Sequence, residues 1–258
     1  MRKIFSKECL ILSGFIYMTQ TGSFEFYKNY AESAQKLQPE LYDEINRILN
    51  SEFTLFFNTF NRKPIVLDIG SAGLLPYDLS LIEKCVLLDL FNKPDVLLMG
   101  SNCEWITGDI LSEKLPPLFQ DISGYDFIIM SSLLHHLCNE KNDIINNLKI
   151  CFSHSRLLLS ENGKICIFES TCSVNLAKIE DFFYPVYSRI LLKILKFTYV
   201  RMLSVDEIIM TLNDSGLKTE CIPFKQPSYI AQMYWRIPIK FYPLKISAIF
   251  SYVNQTRI

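Results

Sequence analysis

The residues with the clearest capacity for chemistry are three aspartates, each of which ends a short apolar run. Asp68 lies within VLDIGSAG, Asp89 follows 21 residues later, and Asp109 follows after a further 20. Carboxylates at such strand ends can accept hydrogen bonds from a nucleoside, with Asp89 suited to the ribose hydroxyls and Asp109 to the adenine amino group. Because Asp68 precedes the glycines of its segment, its charge favours a cationic ligand over a pyrophosphate.

The loop after Asp68 is built from small residues. Gly70, Ala72 and Gly73 leave room for the backbone to approach a flat, charged cofactor, which larger side chains would obstruct. An NAD-binding turn is disfavoured, because it requires G-x-G-x-x-G and this chain has G-x-x-G preceded by an aspartate. The predicted cofactor-binding residues are Asp68, Gly70, Ser71, Gly73, Asp89, Leu90, Asp109, Ile110 and Ser131.

Five apolar runs must position these side chains. They cover residues 64–70, 84–90, 104–109, 125–132 and 163–170. Continuous apolar runs of this length are typical of strands buried on both faces of a parallel sheet. The pattern therefore predicts an α/β fold, with the ligand at the carboxyl ends of the central strands.

Helical patterns separate and follow these runs. Apolar residues recur at helical spacing over 142–159, and residues 173–203 are predicted to be largely helical. A further helix over 204–216 has Ser204 and Glu207 at the positions of a capping box, and Gly216 as its stop. The last predicted elements are a hairpin-like pair of strands at 217–224 and 228–236.

Composition excludes several classes of protein. The chain has 258 residues, of which 49% are apolar and 21% charged, so a globular core is expected. Its net charge of -1, from 26 basic and 27 acidic residues, argues against a dedicated nucleic-acid-binding protein. The eight cysteines form no C-x-x-C pair, which favours free thiols in the cytoplasm and no metal site.

Taken in order, five segments resemble the class I S-adenosylmethionine-dependent methyltransferases over about residues 64–236. The segments are VLDIGSAG, LLDL, TGD, YDFIIMSSLLHHL and ENGKICIFE. The resemblance implies S-adenosylmethionine as cofactor and a Rossmann-like doubly wound sheet in the order 3-2-1-4-5-7-6, with strand 7 antiparallel. Ala72 and Leu74 depart from the family's pattern, which commonly has glycines there.

The resemblance also implies a domain organisation. Residues 1–60 are expected to form a helical N-terminal segment or lid, and residues 61–258 the methyltransferase domain. Residues of about 173–203 are expected to form a cap over the substrate, hereafter the cap segment. We expect a soluble cytoplasmic protein, since no stretch reaches the roughly 18 apolar residues of a membrane span.

The segment from Leu133 to Glu169 is similar to the matching part of small-molecule O-methyltransferases. The likeness places His135 on their catalytic base and Glu169 on one of the acids that flank it, whereas His136 replaces their aspartate. A sulfonium is already a strong electrophile, so the enzyme has mainly to align the acceptor and remove its proton. Histidine is suited to removing that proton near neutral pH. A histidine here that only lines the pocket is the alternative.

Aromatic residues are the predicted contacts of the methyl acceptor. The expected substrate-binding residues are His136, Tyr30, Phe183, Tyr184 and Tyr187. Arg189, Lys193 and Lys196 form a basic stripe, which can mark a membrane surface or a partner, although we expect these side chains to face water.

The leading interpretation is O-methylation of a small molecule, with His135 as general base and no nucleic-acid partner. Methylation of nitrogen or carbon stays open, because transfer to an amine needs no strong base. A non-catalytic partner protein with the same fold also stays open. The sequence specifies neither the acceptor nor an oligomeric state.

Overall fold

The computed structural model describes residues 39–92, 100–113, 124–138, 143–193, 200–222, 224 and 245–253. Its helices are α1 (Pro39–Phe60), α2 (Ile144–Leu158), α3 (Val174–Lys193) and α4 (Val205–Asp214). Its strands are β1 (Ile65–Ile69), β2 (Lys84–Asp89), β3 (Cys103–Thr107), β4 (Tyr125–Ser131), β5 (Leu159–Cys172), β6 (Leu203–Ser204), β7 (Leu217–Ile222) and β8 (Lys245–Val253). Single 3-10 turns cover Leu79–Leu81 and Leu134–His136.

The strands form one sheet in the order β3-β2-β1-β4-β5-β8-β7, and the two-residue β6 pairs with β5. The pairings of β1 to β5 with one another are parallel, whereas β8 runs antiparallel to both of its neighbours. When β6 is left out of the numbering, this order is 3-2-1-4-5-7-6 with strand 7 antiparallel. The predicted sheet is therefore confirmed.

The last strand lies later in the chain than predicted. Among the described residues β7 pairs with β8, whereas the predicted partner at 228–236 lies outside them. A strand between β5 and β7 must be apolar on both faces. Ile246 and Ile249 of β8 meet this condition, because they enter the cores on opposite sides of the sheet.

Two hydrophobic layers cover the sheet, one on each face. Leu67 and Ile69 of β1 enter the layer that includes α2 and α4, whereas Val66 enters the layer that includes α1. Side chains alternate along a strand, so Asp68 points to the α1 side. The buried face of α1 consists of Leu41, Ile45, Ile48, Leu49, Phe53 and Phe56. Burying each of these side chains contributes about 1.5–3 kcal/mol, which fixes α1 beneath β1 and β2.

The helices after β5 follow the sequence closely. The capping box is present: the Glu207 backbone N–H donates to Ser204 Oγ at 3.3 Å, and the Ser204 N–H donates to Glu207 Oε2 at 2.7 Å. Gly216 has a φ of +76°, as a helix stop requires. Within the predicted cap segment, α3 covers Val174–Lys193, and the chain is no longer helical at 200–203.

Among the described residues, none of the helices combines the length and the apolar character needed to cross a bilayer.

Candidate active site

The carboxyl ends of β1, β2 and β4 meet at one edge of the sheet, because these strands are parallel neighbours. The loop that follows β1 turns sharply there, with φ values of +72° at Gly70, +51° at Ala72 and +81° at Gly73. The left-handed region costs a residue with a Cβ about 1 kcal/mol. A hydrogen bond holds Ala72 in this left-handed conformation: its N–H donates to Asp89 Oδ2 at 3.3 Å.

Gly70 brings this loop against the segment that carries the histidines. A Cβ at Gly70 would lie only 2.7 Å from Leu133 Cδ1, closer than real side-chain contacts allow. The Gly70 N–H also donates to the Leu88 carbonyl at 2.8 Å, which fixes the loop to β2. The predicted cofactor loop and the predicted catalytic segment are therefore adjacent.

Asp68 is a buried carboxyl group, and one of its oxygens has no hydrogen-bond partner among the described residues. Its Oδ2 accepts a hydrogen bond from the Tyr77 hydroxyl at 2.7 Å, whereas Oδ1 accepts none from the part of the chain that the structure describes. Burial raises the pKa of Asp68 to about 7, although the Tyr77 hydrogen bond acts in the opposite direction. A cation at Oδ1 would favour the ionised form and complete the hydrogen bonding of this carboxylate.

Asp89 lies on the same face of the sheet as Asp68. It is two residues after Leu87, which enters the hydrophobic layer on the α1 side, and alternate residues of a strand share a face. Each of its oxygens accepts one backbone N–H, Oδ2 from Ala72 and Oδ1 from Phe91 at 3.1 Å. A carboxylate offers about four acceptor sites, so both oxygens can accept a further hydroxyl. Burial raises the pKa of Asp89. The neighbouring Leu90 is 64% exposed and can cover a flat ligand.

The remaining predicted cofactor residues differ in their accessibility. Asp109 is exposed, and its Oδ1 accepts the Leu111 N–H at 2.8 Å. Ile110 packs in the core, so only its backbone can face a ligand, and its carbonyl already accepts a hydrogen bond from His154 Nδ1 at 2.6 Å. Ser71 and Ser131 are half-buried, and the Ser71 hydroxyl accepts the Gly73 N–H at 3.2 Å.

His135 and Glu169 form a buried pair at the end of β4. His135 Nδ1 lies 2.7 Å from Glu169 Oε1, and both side chains are at most 5% exposed. Glu169 also accepts the Leu134 N–H at Oε2 and the Ser170 N–H at Oε1, so three N–H groups converge on it. Because a carboxylate only accepts, Nδ1 carries the proton, and Nε2 of the neutral ring is then the acceptor.

His136 differs from His135 in its surroundings. The two rings lie 4.1 Å apart between centroids, with a tilt of 43°. Burial and the neighbouring His135 hold the pKa of His136 well below its usual range. His136 is therefore a neutral side chain at physiological pH, whereas His135 has a carboxylate partner that can stabilise a positive charge.

Solved structures with a similar backbone share little sequence with this chain. An O-methyltransferase family protein from Burkholderia thailandensis aligns with a TM-score of 0.55 at 11% identity, over 95% of this chain and 70% of that one. The pyocyanin biosynthetic protein PhzM gives 0.51 at 16% identity, over 96% and 67%. The YcgJ protein from Bacillus subtilis gives 0.50 at 14% identity, over 78% and 97%. No protein-family model and no curated protein matches the sequence.

The strand order and these alignments agree on one architecture. The chain has the class I methyltransferase fold. At such identities the likeness establishes the fold alone, so the activity has to be argued from the site.

In this methyltransferase fold, the described part of the cap segment presents two different faces. Phe182 and Phe183 are exposed and stack edge-to-face, with centroids 5.0 Å apart. Tyr184 lies on the buried face, beside the Cys138 thiol, and is only 2% exposed. The side chain of Tyr187 and the whole of Tyr30 lie outside the described residues. Of the predicted aromatic contacts, the structure thus leaves Phe183 accessible and places Tyr184 in the core.

Two residues that support the candidate site were missed by the sequence analysis. Tyr77 holds Asp68 from a loop nine residues further along, where no periodic pattern indicates a contact. Arg201 is buried, and its backbone N–H donates to the His135 carbonyl at 3.1 Å. The sequence did offer one indication, since Arg201 lies just before the capped helix α4 and could therefore help to fix that helix.

No cluster of three or more histidine, cysteine or acidic side chains suited to a metal ion occurs within the described ranges.

Proposed function

We propose that this protein is a methyltransferase that transfers the methyl group of S-adenosylmethionine to a hydroxyl group of a small molecule. The observation that carries the proposal is the contact between two sites. The Gly70 loop, which follows the Asp68 oxygen of β1 that is unpartnered in the described part of the chain, contacts Leu133 in the segment that carries His135, the partner of Glu169. A carboxylate that can bind a cation and an oriented base, held on segments that contact each other, suit transfer from a sulfonium to a hydroxyl.

The proposed cofactor contacts follow from the acceptors that remain available. Asp68 Oδ1 accepts a hydrogen bond from the α-ammonium group. Asp89 accepts hydrogen bonds from the ribose hydroxyls, and Asp109 accepts one from the adenine amino group. The remaining surface of the cofactor is surrounded by the backbone of Gly70 to Gly73 and of Ile110, and by Ser71, Leu90 and Ser131. When bound, S-adenosylmethionine supplies a methyl group that is already activated by its positive sulfur.

In the proposed reaction His135 is the general base. Its Nε2 takes the proton of the acceptor hydroxyl, so that the oxygen could accept the methyl group that the bound cofactor would supply from its sulfur. Glu169 keeps the proton of the ring on Nδ1 and stabilises the imidazolium that results. The burial of the pair excludes water, which strengthens this stabilisation.

We propose that the acceptor binds between the histidine segment and the cap segment. His136 is a neutral contact, and Phe183 offers an aromatic surface for an apolar ring. Tyr30, Tyr184 and Tyr187 stay predictions for this side of the site. The division into an N-terminal segment at 1–60 and a domain at 61–258 is likewise part of the proposal.

Replacement of Asp89 tests the cofactor assignment. Asp89→Ala is expected to weaken the binding of S-adenosylhomocysteine about 10- to 100-fold, because hydrogen bonds to a charged group contribute about 1.5–3 kcal/mol. Isothermal titration calorimetry on the purified protein measures this. Asp214→Ala is the matched control, since Asp214 is an exposed aspartate on α4 paired with Lys149. Absence of binding to the native protein, or equal affinities for Asp89→Ala and native protein, contradicts the assignment.

The role of Asp68 predicts a pH dependence. With a pKa of about 7, Asp68 is protonated in acid and then has no negative charge to bind an ammonium group. The affinity for S-adenosylhomocysteine is expected to rise on the order of tenfold between pH 5.5 and 7.5, as the carboxyl ionises. Tyr77→Phe removes a hydrogen bond that lowers the pKa of Asp68, so the midpoint of this rise moves to higher pH.

Adenosine provides the control for this titration, because it lacks the ammonium group that Asp68 is proposed to bind. Its affinity, measured over the same pH range, should not follow the ionisation of Asp68 or respond to Tyr77→Phe. Identical pH profiles for the two ligands would remove Asp68 from ammonium recognition.

A further inference from the structure

Two free cysteines lie side by side on neighbouring strands. Cys85 of β2 and Cys103 of β3 are direct partners in the parallel pairing. Neighbouring strands lie about 4.8 Å apart, which is within the Cα separation of about 4.4–6.8 Å that a disulfide spans. Both side chains belong to the hydrophobic layer on the α1 side, so the thiols are on one face of the sheet.

The two thiols are unequal in reactivity. Cys103 is half-buried on the edge strand of the described sheet, whereas Cys85 is fully buried. A hydrogen bond from the Cys85 thiol lowers the pKa of Cys103, so this cysteine forms its thiolate more readily than an ordinary cysteine. The same hydrogen bond, together with burial, raises the pKa of Cys85. Since the thiolate is the nucleophile, Cys103 reacts first with an oxidant and Cys85 is placed to resolve the product.

The pair is connected to the candidate cofactor site. Cys85 Sγ lies 3.5 Å from the Tyr77 hydroxyl, which in turn donates to Asp68 Oδ2 at 2.7 Å. Both contacts lie in the buried layer beneath β1 and β2. A change at the Cys85 sulfur is therefore transmitted to Asp68 through a single side chain.

We propose that Cys85 and Cys103 form an oxidisable dithiol that a hydroperoxide converts to a disulfide, and that the disulfide weakens ligand binding at Asp68. The second part rests on the proposed function. Disulfide formation draws Cys85 Sγ towards Cys103 and away from the Tyr77 hydroxyl, which then loses the sulfur that packs 3.5 Å from it. Tyr77 is then held less firmly against Asp68.

The chemistry requires only the two thiols and the peroxide. The Cys103 thiolate attacks one oxygen of hydrogen peroxide and the O–O bond breaks. The products are a sulfenic acid and hydroxide, which takes up the proton that the Cys103 thiol had released and becomes the first water. The Cys85 thiol then attacks the sulfenic sulfur, forms the S–S bond and releases the second water. The peroxide gains two electrons, and the dithiol loses two electrons and two protons.

Mass spectrometry tests the disulfide on the full chain. The Cys221→Ser variant, which lacks an exposed cysteine of β7, is treated with stoichiometric hydrogen peroxide. We expect the loss of two hydrogen atoms in the intact mass and a linked peptide pair that contains Cys85 and Cys103. Adding Cys103→Ser should abolish the link. A link between other cysteines, or oxidation to sulfonic acid without a link, overturns the proposal.

Titration of the reduced and the oxidised protein with S-adenosylhomocysteine tests the coupling. The disulfide is expected to weaken binding about threefold to tenfold, the effect of losing one hydrogen bond, and dithiothreitol should restore it. The Cys103→Ser variant should not respond to peroxide. Equal affinities of the two forms overturn the coupling. A disulfide that forms in a protein with no affinity in either state refutes the proposed function and leaves the dithiol assignment intact.

Discussion

Replacing His135 by glutamine is expected to lower the turnover of a neutral phenol about 10²- to 10⁴-fold, the usual contribution of a general base. Glutamine fills a similar volume but cannot take a proton. The affinity for S-adenosylhomocysteine should stay within about twofold, because the loop at Gly70 and the carboxylates of Asp68 and Asp89 are unchanged. Formation of S-adenosylhomocysteine with a panel of small phenols measures the turnover, and calorimetry measures the affinity.

The ionisation state of the acceptor distinguishes a base from a pocket residue. A phenol with a pKa well below the assay pH is already deprotonated and needs no base, so His135→Gln should methylate it nearly as fast as the native enzyme. A steric role for His135 would instead slow both kinds of phenol equally. Equal turnover of the neutral phenol by native and variant protein removes His135 from the mechanism.

His136→Gln provides the matched control. Burial and the adjacent His135 keep the pKa of His136 low, so its loss should not change the dependence of the rate on the pKa of the phenol. If an amine is methylated and no phenol is, and His135→Gln leaves that rate unchanged, the proposed O-methylation is wrong. N-methylation, which needs no strong base, then becomes the function.

The parts of this site that the sequence predicts are those in which position along the chain determines position in space. Asp68 and Asp89 end apolar runs, and the ends of parallel strands meet at one edge of the sheet. Ser204 and Glu207 are three residues apart, so their capping box is a local pattern. The expected place of Glu169 beside His135 came from the family likeness, and the 2.7 Å contact agrees with it.

The parts that the sequence does not predict depend on packing between distant segments. Tyr77 reaches Asp68 from an aperiodic loop, and 22 residues separate the end of β7 from the start of β8. Apolar residues occur on several sides of α3, so its sequence does not distinguish the buried Tyr184 from the exposed Phe183. These contacts depend on neighbouring elements that are distant in sequence, and a local sequence pattern carries no information about them.

Arg201 is a buried cation outside the reacting groups, and its loss should destabilise the fold. Its Nε and Nη2 donate to Asp181 at 2.8 and 2.7 Å, and Nη2 also donates to Glu207 at 2.6 Å. The guanidinium thereby joins α3 to the capping box of α4. It is only 2% exposed, whereas the Asp181 side chain is 41% exposed.

Arg201→Met is expected to lower the free energy of unfolding by about 3 kcal/mol. Removing one partner of a buried ion pair typically costs about 3–5 kcal/mol, and the partial exposure of Asp181 places this case at the lower end. Methionine fills much of the volume, so the loss reports mainly on the two carboxylates left without their cation. Urea unfolding followed by circular dichroism measures the change, provided that the slope of the transition is the same in both proteins.

Arg47→Met is the matched control, because Arg47 pairs with Glu44 on the exposed side of α1. Its urea midpoint should equal that of the native protein, since an exposed ion pair in water adds little stability. Arg201→Lys should fall between the native protein and Arg201→Met, because lysine keeps the charge but lacks the planar fork that bonds two carboxylates. Equal midpoints for Arg201→Met and Arg47→Met would show that α3 and α4 are held together by their apolar contacts alone.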